Sequence, residues 1–525
     1  METVTPVHGN QKDIKDLAGG ALVNFAGKLG RSFRGAFLWV VTLLCGLEIQ
    51  ALYSLSWGLV SIVNRAAGFG LQRGVVRFVV EGRNSGREDR VEWSIAAALT
   101  VGSLSSALTV GLVLLSAEWV ADFYGKPIAG AVRIMAWSAP FMTAASIFVA
   151  ATRALRIMRF DVYVKSIAGP LILLVGGLAV GFAVPNLESI AWVQLAMALG
   201  ICMLGAYYFQ RCFSLENCLR RFGRRELPWK RLGRFSLPVM LTDLIYGVLT
   251  QLDVLMLGWF VGKGQVYMIG IYVLARRIAS VMLKAPQAFD PIFSSIVSEL
   301  TYRNKQREIG HRFSVISRWI LTINLPIFAG IVLVRDSLLN LVAGDRILTL
   351  SPTDIETGIN ILLLLGIGMM VQAMFAVVEP LLAMSGRPGL NLCNNVLWLA
   401  SNFLLNIWLI NIYGIVGAAV GATISMIMVS AVRILQVSLV YDIQPFHRSQ
   451  FKPVVAALGG ALTDWLIRDL VPGEGIWATL TPPAAFLGIY FSLLGFLGLE
   501  AEDKVLLRQI YRQVKRIFSR KRPTP

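Results

Sequence analysis

Residues 163–210 read YVKSIAGPLILLVGGLAVGFAVPNLESIAWVQLAMALGICMLGAYYFQ. Two apolar runs, 163–184 and 188–210, flank the stretch Pro185–Glu188, which holds no Lys or Arg. A bilayer core of about 30 Å asks for roughly 20 apolar residues of a spanning helix. Backbone amides in lipid must pair within their own segment, so such runs are helical. A β-barrel is excluded, because its strands would alternate apolar with polar residues. Basic junctions lie on either side of the pair, Arg153–Lys165 and Arg211–Arg234, the second with eight Lys or Arg. Bare turns alternating with basic ones are the signature of cytoplasmic loops rich in Lys and Arg.

The same alternation runs outward through the chain. Helices are expected near 20–46, 52–79, 93–117, 128–152, 163–184, 188–210, 235–261, 267–289, 313–334, 359–384, 391–412, 415–439, 453–470 and 477–498. The expected fold class is thus an all-α integral membrane protein of about fourteen transmembrane helices. Of the 525 residues, 56% are hydrophobic and 15% charged, where a soluble domain carries about 25% charged residues. The net charge of +18 does not point to nucleic acid, because the cations cluster at alternate junctions. Arg83–Arg90, Arg303–Arg318 and Arg448–Lys452 are basic, whereas Leu47–Ala51 and Asn411–Gly414 are bare. The other outer junctions supply Lys126, Lys263, Arg335, Arg346 and Arg468. This count places both termini in the cytoplasm and the protein in the cytoplasmic (inner) membrane.

Residues 1–19 are read as a cytoplasmic segment, polar at its start and without the pattern of a cleavable signal peptide. In the first run, Lys28, Arg31 and Arg34 share one face and Leu22, Phe25, Ala26, Leu29 and Phe33 another, an amphipathic lead-in. The tail from Glu502 to Pro525 holds eight Lys or Arg, with Val505, Leu506, Ile510 and Ile517 at helical spacing. It is expected to lie on the anionic lipids of the cytoplasmic surface. The five cysteines and three histidines show no CxxC, HExxH or zinc spacing, and no nucleotide-binding P-loop occurs. No cofactor is therefore called for.

A repeat is visible. Gly46-Leu47-Glu48 and Tyr53 precede a long helix ending near Glu81. Lys263-Gly264-Gln265 and Tyr272 precede another ending near Glu299, and both are followed by basic junctions. Six helices separate the two, which suggests halves at 20–212 and 235–441, a basic linker at 213–234, an extra pair at 442–498 and a tail at 499–525.

Three stretches resemble the oligosaccharide flippases, the polysaccharide-export branch of the multidrug/oligosaccharidyl-lipid/polysaccharide exporter superfamily. One runs from Gly46-Leu47-Glu48 and Tyr53 through Gly68-Phe69-Gly70-Leu71 to Val76-Arg77-Phe78. The next holds Phe235-Ser236-Leu237-Pro238, residues 252–258, Gly270-Ile271-Tyr272, Ala275 and Arg277. The last holds Ser385-Gly386-Arg387, Asn391, Asn394, Asn395, Leu405-Asn406 and residues 413–419. The resemblance implies two six-helix bundles around a central cavity and alternating access. It also implies a cargo of polyprenyl-pyrophosphate-linked oligosaccharide for surface polysaccharide, such as lipopolysaccharide or exopolysaccharide. Contact with a glycan polymerase or glycosyltransferases follows from the same pathway. Arg276, a second cation beside Arg277, and the long outer junction Arg335–Gly358 depart from the family pattern.

Ionisable groups inside spanning helices cost about 2.5–3.5 kcal/mol at the helix centre and need a reason. Arg65 lies twelve residues after Tyr53, or roughly 18 Å along a helix. Arg276 and Arg277 lie at a similar depth in the eighth run. Guanidinium matches pyrophosphate oxygens with paired hydrogen bonds. These three arginines therefore either bind the anionic cargo or pair with Asp243, Asp253 or Glu379. Arg73 and Arg77, near the cytoplasmic end of the second run, and the Lys28, Arg31, Arg34 stripe either snorkel to the interface or recruit the headgroup. Asp243 and Asp253 either take a proton or sodium ion for coupling or act as salt-bridge partners. Glu379 stands before Pro380, where a missing N–H allows a hinge, and is the third coupling candidate. Asp464 and Arg468, at i and i+4, read as a structural pair.

Two rivals remain. A drug/cation antiporter of the same superfamily would favour acidic cavity residues, against the arginine excess here. A membrane-embedded glycosyltransferase or polysaccharide polymerase would need a larger outer loop with catalytic acids, and no Asp-x-Asp occurs. The expectation is a transporter and not an enzyme.

Overall fold

A computed structural model describes residues 33–155, 157–220, 229–303, 305–335, 351–441, 448–468 and 476–498, with Glu500 and Asp503. Among the described residues every regular element is helical. Nine helices among the described residues are long and apolar enough to cross a membrane. One of them, Gly389–Leu439, contains two of the expected runs, joined at Gly414 with φ 59° and ψ −138°. Shorter apolar helices at Phe33–Cys45, Phe451–Thr463 and Thr481–Phe496 fall on the first and last two runs. The chain is a multi-pass membrane protein. Lys28, Arg31 and nearly all of the basic tail lie outside the described residues, and so does the side chain of Asp464.

The chain forms two units. The first holds α1 (Phe33–Cys45), α2 (Leu47–Ala67), α3 (Leu71–Asn84), α4 (Glu88–Tyr124), α5 (Ala129–Ala136), α6 (Ser138–Ala154), α7 (Gly169–Ala183), α8 (Leu187–Gln210) and α9 (Trp229–Phe260). It also takes the chain to Leu274 and the segments Val342–Ile355 and Asn402–Ala418. Its core joins Leu71, Val75 and Val79 of α3 to Ile95 of α4, Ile147 of α6 and Phe209 of α8. The turn between α7 and α8 is capped by Asn186, whose Oδ1 accepts the Ser189 N–H at 2.7 Å.

α10 (Val266–Ala279) begins in the first unit and ends in the second. The second unit continues with α11 (Lys284–Tyr302), α12 (Gln306–Leu333), α13 (Pro352–Met374), α14 (Val378–Met384), most of α15 (Pro388–Tyr441), α16 (Phe451–Arg468) and α17 (Ile476–Phe496). Phe293 of α11, Phe313 of α12 and Leu381 of α14 meet in its core. The α16–α17 pair is fastened to α12 by Tyr490, whose hydroxyl donates to the Thr322 carbonyl at 2.9 Å.

Five expected helices are interrupted, the fourth at Trp137, and the other four each for a local reason. The second run, expected as one helix over 52–79, splits at Gly68-Phe69-Gly70. Phe69 has φ 45° and Gly70 φ 64°. A Cβ at Gly70 would stand 2.6 Å from the Ser236 carbonyl oxygen, so only glycine allows α9 this close. The fifth run opens with a π-turn over Val162–Ala168. It precedes Pro170, which has no N–H for a regular ladder. The eighth run tightens into a 3₁₀ turn at Ser280–Leu283, ahead of Pro286. The tenth breaks between α13 and α14, just before Glu379 and Pro380.

Candidate functional site

α9 is the spine of the candidate site. It lies along α2 and α3, and small residues on its contact face allow a close approach. A Cβ at Gly74 of α3 would meet Ser236 Oγ at 3.0 Å, and one at Gly258 of α9 would meet Leu55 Cδ1 of α2 at 2.5 Å.

Arg65 stands midway along the broken helix Leu47–Asn84 and is half-buried. Its Cζ lies 5.6 Å from the centroid of the Tyr246 ring on α9, a cation–π contact. Among the described residues no carboxylate is within ion-pair distance of it. Asp243, one turn earlier on α9, is taken by Arg73, with Nη2 to Oδ1 at 3.1 Å. Arg77 places its guanidinium over the Phe235 ring at 4.7 Å, and Arg231 pairs with Glu81 at 2.6 Å. Arg34 lies over the Trp57 ring at 5.2 Å.

Asp253 sits farther along α9 and is 2% exposed. Its Oδ1 accepts from Asn402 Nδ2 at 3.0 Å and Asn406 Nδ2 at 3.2 Å. Asn406 Nδ2 also donates to Asn402 Oδ1 at 2.6 Å. Asn406 Oδ1 is buried with no hydrogen-bond partner among the described residues. Buried polar oxygens normally find a partner, so Asn406 Oδ1 retains unused acceptor capacity among the described residues.

The last turn of α9 is closed by a lysine. Lys126, on the turn after α4, is 4% exposed. Its Nζ donates to the carbonyls of Gly258, of Val261 at 2.8 Å and of Tyr124 at 3.3 Å. A cation there satisfies orphan carbonyls and complements the helix dipole. Burial, and then the neighbouring Lys263 cation, hold this ammonium below the usual lysine value.

The other candidates are placed elsewhere. Arg276, half-buried, and Arg277, exposed, lie on α10 in the second unit, whereas Arg65 belongs to the first. Glu379 is exposed. Its Oε2 lies 3.8 Å from Nη2 of the buried Arg433, and its backbone carbonyl accepts from Asn391 Nδ2 at 2.9 Å. Arg31 is outside the described residues. The structure therefore brings together Arg73 with Asp243, and Arg65 with the same face of α9. No cluster of three His, Cys, Asp or Glu suited to a metal occurs among the described residues. Asn402 and Arg433 escaped the sequence reading, which noted Asn406 only within a motif and Lys126 only as an outer-junction cation. For the asparagines a signal existed: two carboxamides at i and i+4 in an apolar run share one helix face.

The family model described as polysaccharide biosynthesis protein matches residues 52–352. The chain belongs to this family. Two of the three resembling stretches fall within or at the edge of that match, and the expected kinship is borne out. Among curated proteins, the chain is similar to the probable flippase AglR of Haloferax volcanii, 24% identical over 263 residues, 49% of this chain and 51% of that one. It is also similar to the probable low-salt glycan biosynthesis flippase Agl15 of the same organism, 28% identical over 177 residues, 33% of this chain and 34% of that one. The match spans about half the length of the first of these relatives and a third of the second. Among solved structures, the inward closed form of the lipid II flippase MurJ has a TM-score of 0.72 at 13% identity, over 91% of this chain and 98% of that chain. An inward-facing MATE multidrug transporter of the MOP superfamily has a TM-score of 0.62 at 13% identity, over 78% of this chain and 94% of that chain. These likenesses show the fold.

Proposed function

We propose that the chain is a flippase that moves lipid-linked oligosaccharide units across the cytoplasmic membrane by alternating access, for surface polysaccharide biosynthesis. Both termini lie in the cytoplasm. The observation that carries this reading is Arg65. A guanidinium midway along a helix expected to span the membrane is costly, and the acids that would justify it structurally are engaged elsewhere: Asp243 with Arg73, and Glu379 beside Arg433. An anionic cargo supplies the missing partner, and a pyrophosphate fits guanidinium geometry. Arg276 and Arg277 supply the matching cations of the second unit, and Arg73 and Arg31 recruit the headgroup. Membership of the polysaccharide biosynthesis family and the flippase names of the relatives support the same cargo class.

Asp253, with the asparagine oxygens around it, is the coupling site, taking a proton or sodium ion; Asp243 and Glu379 are the secondary candidates. The protein acts as a transporter and performs no chemistry on the glycan. The experiment is charge reversal: Arg65→Glu and Arg277→Glu each abolish glycan export while the protein reaches the membrane at normal levels. Export at the parental rate in both variants rejects the reading.

A further inference from the structure

A long arginine side chain binds well only where its own rotamers are already settled, because ordering it on binding costs affinity. Two neighbours on α9 settle Arg65. The first is Gly247. A Cβ built there would stand 2.5 Å from Arg65 Cδ, 3.0 Å from Nε and 3.8 Å from Cγ, and all three of its nearest atoms belong to this one side chain. The other glycines of the seam are used differently. Gly258 admits Leu55 and Tyr124, and Gly70 admits the backbone at Ser236 and Met240. Those are close-packing glycines, whereas the space above Gly247 is filled by the stem of Arg65. The second neighbour is Tyr246. The residue is 48% exposed, and its ring lies under the guanidinium, 5.6 Å from Cζ. A cation–π contact of this kind restrains the guanidinium and leaves its N–H donors available to a planar set of oxygens.

We infer that Gly247 and Tyr246 are positioning residues for cargo recognition: Gly247 gives the Arg65 stem its channel across α9, and Tyr246 holds the guanidinium by a cation–π contact that leaves its N–H donors for the pyrophosphate. This rests on the reading of Arg65 as the pyrophosphate-binding residue. It adds that the recognition unit is a triad shared between two helices, so any rearrangement that slides α9 along α2 also turns the cation.

The test uses the full-length protein in lipid nanodiscs and farnesyl pyrophosphate as a short isoprenyl pyrophosphate probe. Arg65→Ala should weaken binding strongly. Tyr246→Leu should weaken it about two- to thirty-fold, the worth of one cation–π contact, and Tyr246→Phe should recover most of that loss. Gly247→Ala should weaken binding with the thermal midpoint unchanged; should it fail to fold, the Tyr246 variants decide alone. In an Arg65→Ala background, Tyr246→Leu should cost nothing further, as coupled residues are non-additive. If Arg65→Ala binds the probe as the parent does, the underlying functional reading fails. If Arg65→Ala weakens binding while Tyr246→Leu does not, the positioning inference fails alone. If Tyr246→Leu costs as much without Arg65 as with it, the ring acts on the ligand by itself and the inference is overturned.

Discussion

The two halves of α9 are held to the first unit by opposite kinds of contact. Its N-terminal half uses exposed charges: Arg231 with Glu81, Arg77 over Phe235, and Arg73 with Asp243, whose side chains are 62% and 33% exposed. Its C-terminal half uses buried polar groups: Asp253 between two asparagine amides, and Lys126 across three carbonyls. An exposed ion pair is worth about 0–1 kcal/mol and weakens in salt. A buried donor or acceptor left without its partner costs about 1–3 kcal/mol. The same helix is thus cheap to release at one end and expensive at the other. Asp243 and Asp253, ten residues apart in sequence, fall on the two sides of that divide. The first serves an ion pair that can exchange. The second is buried and held by two amide N–H donors.

Substitutions test the divide in order of size. Asp253→Ala strips the acceptor from two buried amides and should lower stability by about 1–3 kcal/mol, read as a clear drop in the thermal midpoint of the purified protein. A midpoint equal to the parent's would mean that Asp253 is no keystone of the buried half. Lys126→Met keeps the stem and removes the donor, so about 1–2 kcal/mol should be lost. Faster hydrogen exchange should appear in the last turn of α9, and unchanged exchange there would argue against the cap. Arg73→Ala or Asp243→Ala should cost at most about 1 kcal/mol, less at high salt, and the swap Arg73→Asp with Asp243→Arg should recover it. A penalty as large as that of Asp253→Ala would erase the contrast between the halves.

Much of this molecule is legible in its sequence, because lipid imposes simple rules. Apolar length gave most of the helices among the described residues, including the boundary at Gly414. The repeat motif foresaw two long helices after Gly46 and Lys263. It did not foresee that both are interrupted, one by left-handed residues at Phe69 and Gly70 and the other by a 3₁₀ turn before Pro286. Pro380 was read as a hinge, and the chain does break there. Partner choice was not legible. Nothing in the sequence tells Asp243 to meet Arg73 rather than Arg65, because both arginines lie on the α9-facing side of a helix whose break turns one relative to the other. Nor does an apolar run announce that Asn402 and Asn406 will meet a carboxylate about 150 residues away. Such contacts depend on where whole helices dock.

Transport by the purified protein tests the central claim most directly. Proteoliposomes carrying the full chain and a fluorescent polyprenyl-pyrophosphate oligosaccharide should move the glycan between leaflets faster than protein-free vesicles. The Arg65→Glu protein, reconstituted to the same density, should fall to the protein-free rate. Equal rates for Arg65→Glu and the parent, or no acceleration by the parent, would contradict the account.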